Sequence, residues 1–176
     1  PAQITFQRTY GGQHSDHGTS VQQTADGGYV IAGYTLGPCL PYDLDFYLIK
    51  TDSIGDTLWT RTSGDTFGDV GYSVQQTADG GYIVTGGTHL PGTRYSQAYL
   101  VKTDVSGDTL WTRTFGGEHD DNGYSVQQTA DSGYIIAGYT ESYGAGGSDV
   151  YLIKTGANGD TLWTRAFGGA NDDLGY

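Results

Sequence analysis

The sequence predicts an all-β protein made of β-propeller blades: three four-stranded antiparallel blades of about 52 residues and one extra N-terminal strand. Trp59, Trp111 and Trp163 stand 52 residues apart, inside identical Gly-Asp-Thr-Leu-Trp-Thr-Arg segments. Each period holds four short strand-like segments, and no segment shows a helical period. The chain is only 36% apolar, but its 13% aromatic content is unlike that of a disordered chain.

The period also divides the chain into units. Residues 4–12 match residues 109–117, with Phe6 in place of the tryptophan. We expect a lone outer strand over 1–12, blades over 13–64, 65–116 and 117–168, and the start of a further repeat over 169–176. Because both ends fall inside the repeat, we expect the chain to be a segment of a larger ring or array.

The second blade shows the four predicted strands in order. They cover residues 72–77, 82–87, 99–102 and 109–113. The Asp79-Gly80 pair between the first two strands predicts a type I′ hairpin turn, which needs positive φ at both central residues. A second tight turn, at 104–108, precedes the fourth strand.

The apolar pattern predicts that both faces of each sheet are covered. Neighbouring residues such as Ile135 and Ile136 point to opposite sides of a strand, and both are apolar. The first strand is more polar, and we expect its paired glutamines to line a hydrated axis and to bond along the ladder. A linear β-solenoid is the alternative, although its repeats are usually shorter and hold parallel strands.

Residues that recur in every blade are predicted to be structural. We expect the tryptophans to anchor blade packing and the basic residues to pair with acidic turn residues. These anchors are Trp59, Trp111, Trp163, Arg61, Arg113, Arg165, Asp26, Asp79 and Asp131.

Composition excludes several classes of partner. Eight basic and 20 acidic residues give a net charge of −12, which disfavours nucleic acids and acidic membranes. No apolar run approaches the roughly 20 residues of a membrane-spanning helix. The single cysteine, Cys39, excludes an internal disulfide and a multi-cysteine metal site. We expect no cofactor other than calcium.

The candidate contact surface is the face that carries the variable loops at 36–45, 89–97 and 141–149. Each loop holds one tyrosine, and aromatic side chains beside charged ones suit a glycan. The candidate ligand-binding residues are Tyr42, Tyr95, Arg94, Tyr143 and Glu141. The alternative is that these loops vary because nothing constrains them.

The loop between the second and third blades is a candidate calcium site. Glu118, Asp120 and Asp121 place three carboxylates within four residues, and calcium takes 6–8 oxygen ligands. The alternative is that each aspartate accepts hydrogen bonds from the N–H groups of its own turn.

Several segments resemble repeats of secreted and cell-surface bacterial propellers, many of them exported by type IX-like systems. They are Gly-Gly-Tyr-Ile-Val-Thr-Gly-Gly at 80–87, Tyr-Leu-Ile-Lys-Thr at 151–155 and Asp-Thr-Leu-Trp-Thr-Arg at 160–165. The turn followed by tryptophan is similar to the tryptophan-docking motif of quinoprotein-like propellers. The resemblance implies a propeller fold and a secreted location, and it carries over no active site.

These observations predict a non-catalytic extracellular module for scaffolding, adhesion or self-assembly. Its expected partners are other copies of itself or further blades of the same chain. A carbohydrate-binding propeller is the alternative, and a polysaccharide hydrolase or lyase is a further one. Nearly every charged residue recurs between blades, whereas an enzyme needs one unrepeated constellation. The exceptions are Asp43, Asp45, Arg94, Glu141 and Asp149, which we place in loops of different blades.

Overall fold

A computed structural model describes residues 6–36, 44–64 and 68–175. These residues form twelve strands and no helix, and therefore contain no helix that could cross a membrane. The strands are β1 Asp16–Gln23, β2 Tyr29–Leu36, β3 Leu44–Thr51, β4 Thr57–Ser63, β5 Asp69–Gln76, β6 Tyr82–His89, β7 Ser96–Thr103, β8 Thr109–Phe115, β9 Asp121–Gln128, β10 Tyr134–Thr140, β11 Asp149–Thr155 and β12 Thr161–Phe167.

The strands form three separate four-stranded sheets, β1–β4, β5–β8 and β9–β12, with strands in chain order. All neighbouring strands are antiparallel. This confirms the prediction of three blade-like repeats and rules out the parallel solenoid. We call the sheets blades 1, 2 and 3.

The strands run further towards the loop-bearing edge than the apolar pattern indicates. In blade 2 the ladder pairs Asp69 with Thr88 and Ser96 with His89, beyond the predicted strand ends. These residues are polar, so hydropathy gives no signal for them, yet their backbone groups continue the ladder.

The structure also differs from the predicted lone strand at the N-terminus. Residues 6–12 belong to no ladder. The fourth strand of every blade pairs only with the third strand of its own sheet. Within the described residues no third strand precedes this segment, so it has no partner strand there, and residues 6–10 lie against blade 1.

The type I′ prediction for the first hairpin turn is wrong. In blade 2 only Gly80 has positive φ (85°), and Asp79 does not. The Thr77 carbonyl accepts a hydrogen bond from Gly80 N–H, and Thr77 N–H donates to the Gly81 carbonyl. Asp79 contributes through its side chain, because its Oδ1 accepts bonds from Thr77 Oγ1 and Gly81 N–H.

The hydrophobic core lies between blades. At the first junction, blade 1 supplies Val30, Ala32, Phe46, Leu48 and Trp59, while blade 2 supplies Val74, Tyr82, Val84, Tyr99 and Val101. The second junction repeats this arrangement between blades 2 and 3. Two of the tryptophans meet a tyrosine of the next blade edge-on, Trp59 with Tyr82 at 5.7 Å and Trp111 with Tyr134 at 5.9 Å between ring centroids.

The paired glutamines bridge neighbouring blades, and Gln23 and Gln76 also donate to a carbonyl of their own hairpin turn. The innermost strand β5 packs against both β1 and β9. Gln22 Oε1 accepts a hydrogen bond from Gln76 N–H at 2.5 Å, and Gln76 Oε1 accepts one from Ala25 N–H at 2.8 Å. Gln75 and Gln128 repeat the first bond at the next junction at 2.6 Å. The inner strands are therefore tied together by a repeating side-chain-to-backbone pattern.

Candidate functional site

The variable loops and the inter-blade loops share one edge of the molecule. Asp120 Oδ1, in the loop between blades 2 and 3, accepts hydrogen bonds from Ser96 N–H at 2.7 Å and from Ser96 Oγ. The Tyr143 hydroxyl donates to the Gly116 carbonyl at 2.8 Å. The loops before β7 and β11 are thus both held against the loop that enters β9.

The predicted ligand residues do not form one site. Arg94 and Tyr95 line a shallow pocket of about 380 Å³ together with Glu118. Glu141 lines a different pocket, beside Asp172. Tyr143 lines neither of these two pockets, and Tyr42 falls outside the described residues, as does Asp43.

The candidate calcium residues have separate neighbours. Asp121 Oδ2 accepts hydrogen bonds from Gly117 N–H at 2.9 Å and from Ser142 Oγ at 2.7 Å, while its buried Oδ1 has no hydrogen-bond partner. Asp120 turns towards Ser96. No three His, Cys, Asp or Glu side chains in the described ranges converge to hold a metal ion. Calcium binding by Glu118, Asp120 and Asp121 stays a prediction.

Two acidic residues that sequence reasoning placed among the unrepeated loop residues belong to the repeat. Asp45 and Asp149 lie in β3 and β11, where they pair with Thr35 and Thr140. Gln97 has the same place in β7, opposite Thr88. The 52-residue spacing of positions 45, 97 and 149 was the available signal, and the change from acid to amide at Gln97 hid it.

One lysine–aspartate pair recurs in each blade beside the first hairpin turn. Lys50, Lys102 and Lys154 lie 2.9–3.0 Å from Asp26, Asp79 and Asp131. Hydrogen bonds from Thr24 and Lys50 lower the pKa of Asp26 to about 2. Burial alone would raise the pKa of Asp79, but bonds from Thr77 and Lys102 outweigh it and lower that pKa to about 2. The pKa of Asp131 is lowered for the same reasons as that of Asp26.

These pairs predict a loss of stability in acid. A carboxyl whose pKa falls on folding, from the ordinary 3.8 to about 2 for Asp26, stabilises the fold above pH 4. That contribution disappears as the pH drops from about 4 to 2, and solvent screening limits it to about 1 kcal/mol for Asp26. Urea unfolding at pH 6, 4 and 2.5 measures it as the difference between the unchanged chain and Asp26→Asn. A difference that grows towards pH 2.5 would contradict the assignment.

In blades 1 and 2, the tryptophan and arginine of the fourth strand lie over the second tight turn of the next blade. Arg61 Nε donates to Asp108 Oδ1 at 2.8 Å, and Arg113 lies 3.5 Å from Asp160. Such exposed ion pairs are weak individually, so the packed tryptophan contributes most of the contact energy. Arg165 forms no ion pair within the described part of the chain, because no further blade follows β12 there.

The two outer blades expose side chains that are covered at the internal junctions. On blade 3, Trp163 is 42% exposed and Phe167 is 54% exposed, whereas the equivalent Phe115 is 8% exposed. On blade 1, Val21 is 64% exposed, whereas Val74 is 6% exposed. We call these surfaces the open face of blade 3 and the open face of blade 1. They are complementary, because each is one half of the junction that the chain already forms twice.

No protein-family model matches this chain, but it is similar to a curated protein and to a solved structure. It is 27% identical over 181 residues to "Regulatory protein FlaEY" of Caulobacter vibrioides, which covers 88% of this chain. The chain spans 19% of the length of that relative. The crystal structure of a protein of unknown function from Bacteroides caccae matches with a TM-score of 0.54 at 13% identity, over 88% of this chain and 47% of that one. The second likeness supports the fold alone.

Proposed function

We propose that this chain is a non-catalytic extracellular scaffolding module that binds a further blade on its open faces. The observation that carries the proposal is the exposure of Trp163 and Phe167 on blade 3, since Phe115 is buried at the internal junction. Exposed apolar groups of this kind mark interaction surfaces. The exposed face also repeats the shape and polarity of two junctions that already form.

The placement of the shifted carboxyls supports a module without catalysis. Asp26, Asp79 and Asp131 recur once per blade, and each pairs with a lysine. Their pKa values are lowered by structural hydrogen bonds. A general acid or base would instead need a pKa close to the working pH. The carbohydrate-binding and hydrolase alternatives stay predictions, and the pocket of Arg94, Tyr95 and Glu118 is where a glycan would be sought.

The extracellular location in this proposal rests on the resemblance of the repeats to secreted bacterial propellers. The name of the Caulobacter relative describes a regulatory protein and specifies no reaction chemistry. A regulatory role suits a binding module, because a regulatory protein must contact a partner.

We expect Trp163→Ser to weaken association at least tenfold while leaving the free energy of unfolding of the monomer nearly unchanged. The matched change Trp111→Ser lies inside a junction and should lower that free energy by about 2 kcal/mol, because it leaves a cavity beside Tyr134. Sedimentation velocity over a concentration series and urea unfolding measure the two effects. Association of Trp163→Ser equal to that of the unchanged chain would refute the proposal.

A further inference from the structure

Residues 6–10 occupy the place of a fourth strand from a preceding blade. The Phe6 ring lies 6.0 Å from that of Tyr29, close to the 5.7 Å between Trp59 and Tyr82 at the first junction. A Cβ added to Gly55 would lie 2.5 Å from the Phe6 ring, just as one added to Gly107 would lie 2.6 Å from Trp59. Phe6 therefore fills the pocket that a tryptophan fills elsewhere.

The polar contacts of this segment follow the same pattern. Arg8 lies 3.1 Å from Asp56, as Arg61 lies beside Asp108. The Tyr10 hydroxyl donates to the Gly55 carbonyl at 2.8 Å. Since no ladder hydrogen bond holds the segment, these few contacts are what anchor it to blade 1, and they are weak enough to be exchanged.

The chain segment that follows β12 covers the open face of blade 3 in a similar way. Asp172 Oδ1 accepts a hydrogen bond from Ser148 N–H at 3.0 Å, as Asp120 accepts one from Ser96. A Cβ on Gly175 would lie 2.9 Å from Val150. Residues 172–175 thus hold the position where the first strand of a following blade begins.

The inner parts of both open faces carry matching groups. By the repeat, Gln127 corresponds to Gln75, whose Oε1 accepts the Gln128 N–H bond at the second junction. Ala130 corresponds to Ala78, whose N–H donates to Gln128 Oε1 at 2.9 Å. Gln23 of another copy corresponds to Gln128. Its N–H would donate to Gln127 Oε1, and its Oε1 would accept a bond from Ala130 N–H. The open faces of two copies therefore match in apolar, ionic and hydrogen-bonding groups.

We propose that the open face of blade 3 binds the open face of blade 1 of a second copy, and that residues 6–10 and 172–175 compete with this contact. The inference rests on the proposed function, that open faces stack on blades. Trp163 of one copy would occupy the position beside Gly55 of the second copy that Phe6 of that second copy already fills. Arg165 of the first copy would compete with Arg8 of the second copy for the ion pair with Asp56. Docking therefore requires residues 6–10 and 172–175 to leave these positions, and they act as internal caps.

The double variant Phe6→Ser/Arg8→Ser tests the cap. We expect its dissociation constant for self-association, measured by sedimentation equilibrium, to be about tenfold lower than that of the unchanged chain. Tyr10→Phe removes one hydrogen bond and should shift the constant in the same direction by a smaller factor. It keeps the test valid if the double variant folds poorly. Iodide quenching should also show Trp163 becoming protected as concentration rises.

Adding Trp163→Ser to the unchanged chain and to the cap variants tests the cap separately from the proposed function. If the cap variants associate no more tightly than the unchanged chain while Trp163→Ser still weakens association, the cap is refuted and the proposed function survives. Weaker association of the cap variants also refutes the cap, because residues 6–10 would then be part of the contact. If Trp163→Ser changes nothing in either background, the proposed function fails as well.

Discussion

Gly107→Ala is expected to lower the free energy of unfolding by about 3 kcal/mol. Gly107 has φ of 80°, where a side chain costs roughly 1 kcal/mol. Its Cβ would also lie 2.6 Å from the Trp59 ring, which is stacked on this turn. Moving the indole would open the junction between blades 1 and 2, and such overpacking costs about 1–3 kcal/mol. Urea unfolding measures the loss.

Gly80→Ala is the matched control for this change. Gly80 has nearly the same backbone conformation, with φ of 85°, but nothing lies within 4 Å of its Cβ position. It should therefore lose only the conformational cost of about 1 kcal/mol. Equal losses in the two variants would show that a Cβ at position 107 does not displace the Trp59 ring.

Asp79→Ala is expected to cost about 3 kcal/mol, because it leaves the ammonium of Lys102 without its counter-ion. The Lys102 side chain is only 4% exposed and lies 3.0 Å from Asp79 Oδ2. Asp79 also accepts hydrogen bonds from Thr77 and Gly81, which are lost together. Because the carboxylate itself faces solvent, water can reach part of the site, which places the cost at the lower end for buried pairs.

Two further variants complete this measurement. Asp108→Ala breaks the exposed pair with Arg61 and should cost less than about 1 kcal/mol. Adding Lys102→Met to Asp79→Ala removes the buried charge and should recover part of the loss. If Asp79→Ala were as mild as Asp108→Ala, the lysine would not depend on this carboxylate.

Much of the fold could be predicted because identical segments take identical places. The Gly-Asp-Thr-Leu-Trp-Thr-Arg copies mark β4, β8 and β12, and their spacing fixes the blade number. The strand ends at Asp69 and Ser96 were not predicted, because polar ladder residues carry no hydropathy signal. The turn at Asp79 was misassigned because an aspartate before glycine suits two hairpin types. The structure distinguishes them, because Gly80 has positive φ and Asp79 does not, and because Asp79 acts through its side chain.

The candidate site was less predictable for a different reason. A fourth-strand sequence such as residues 4–12 reads the same whether or not its sheet is present, so periodicity could not show Phe6 lying on blade 1. Likewise, Tyr95 and Glu118 line one pocket through loop geometry, while Glu141 lines another. Loop conformations depend on turn chemistry that a repeat period does not encode.

The three-blade count limits the assemblies that the open faces could build. The two faces differ from each other, so a contact between them is heterologous and yields either a closed ring or an unending filament. A closed ring built only from copies of these 176 residues would then hold a multiple of three blades. Propellers usually close with about 4–8 blades, and six is the one multiple in that range. A ring of two copies with twofold symmetry would use all four open faces, so growth would end at the dimer by geometry alone.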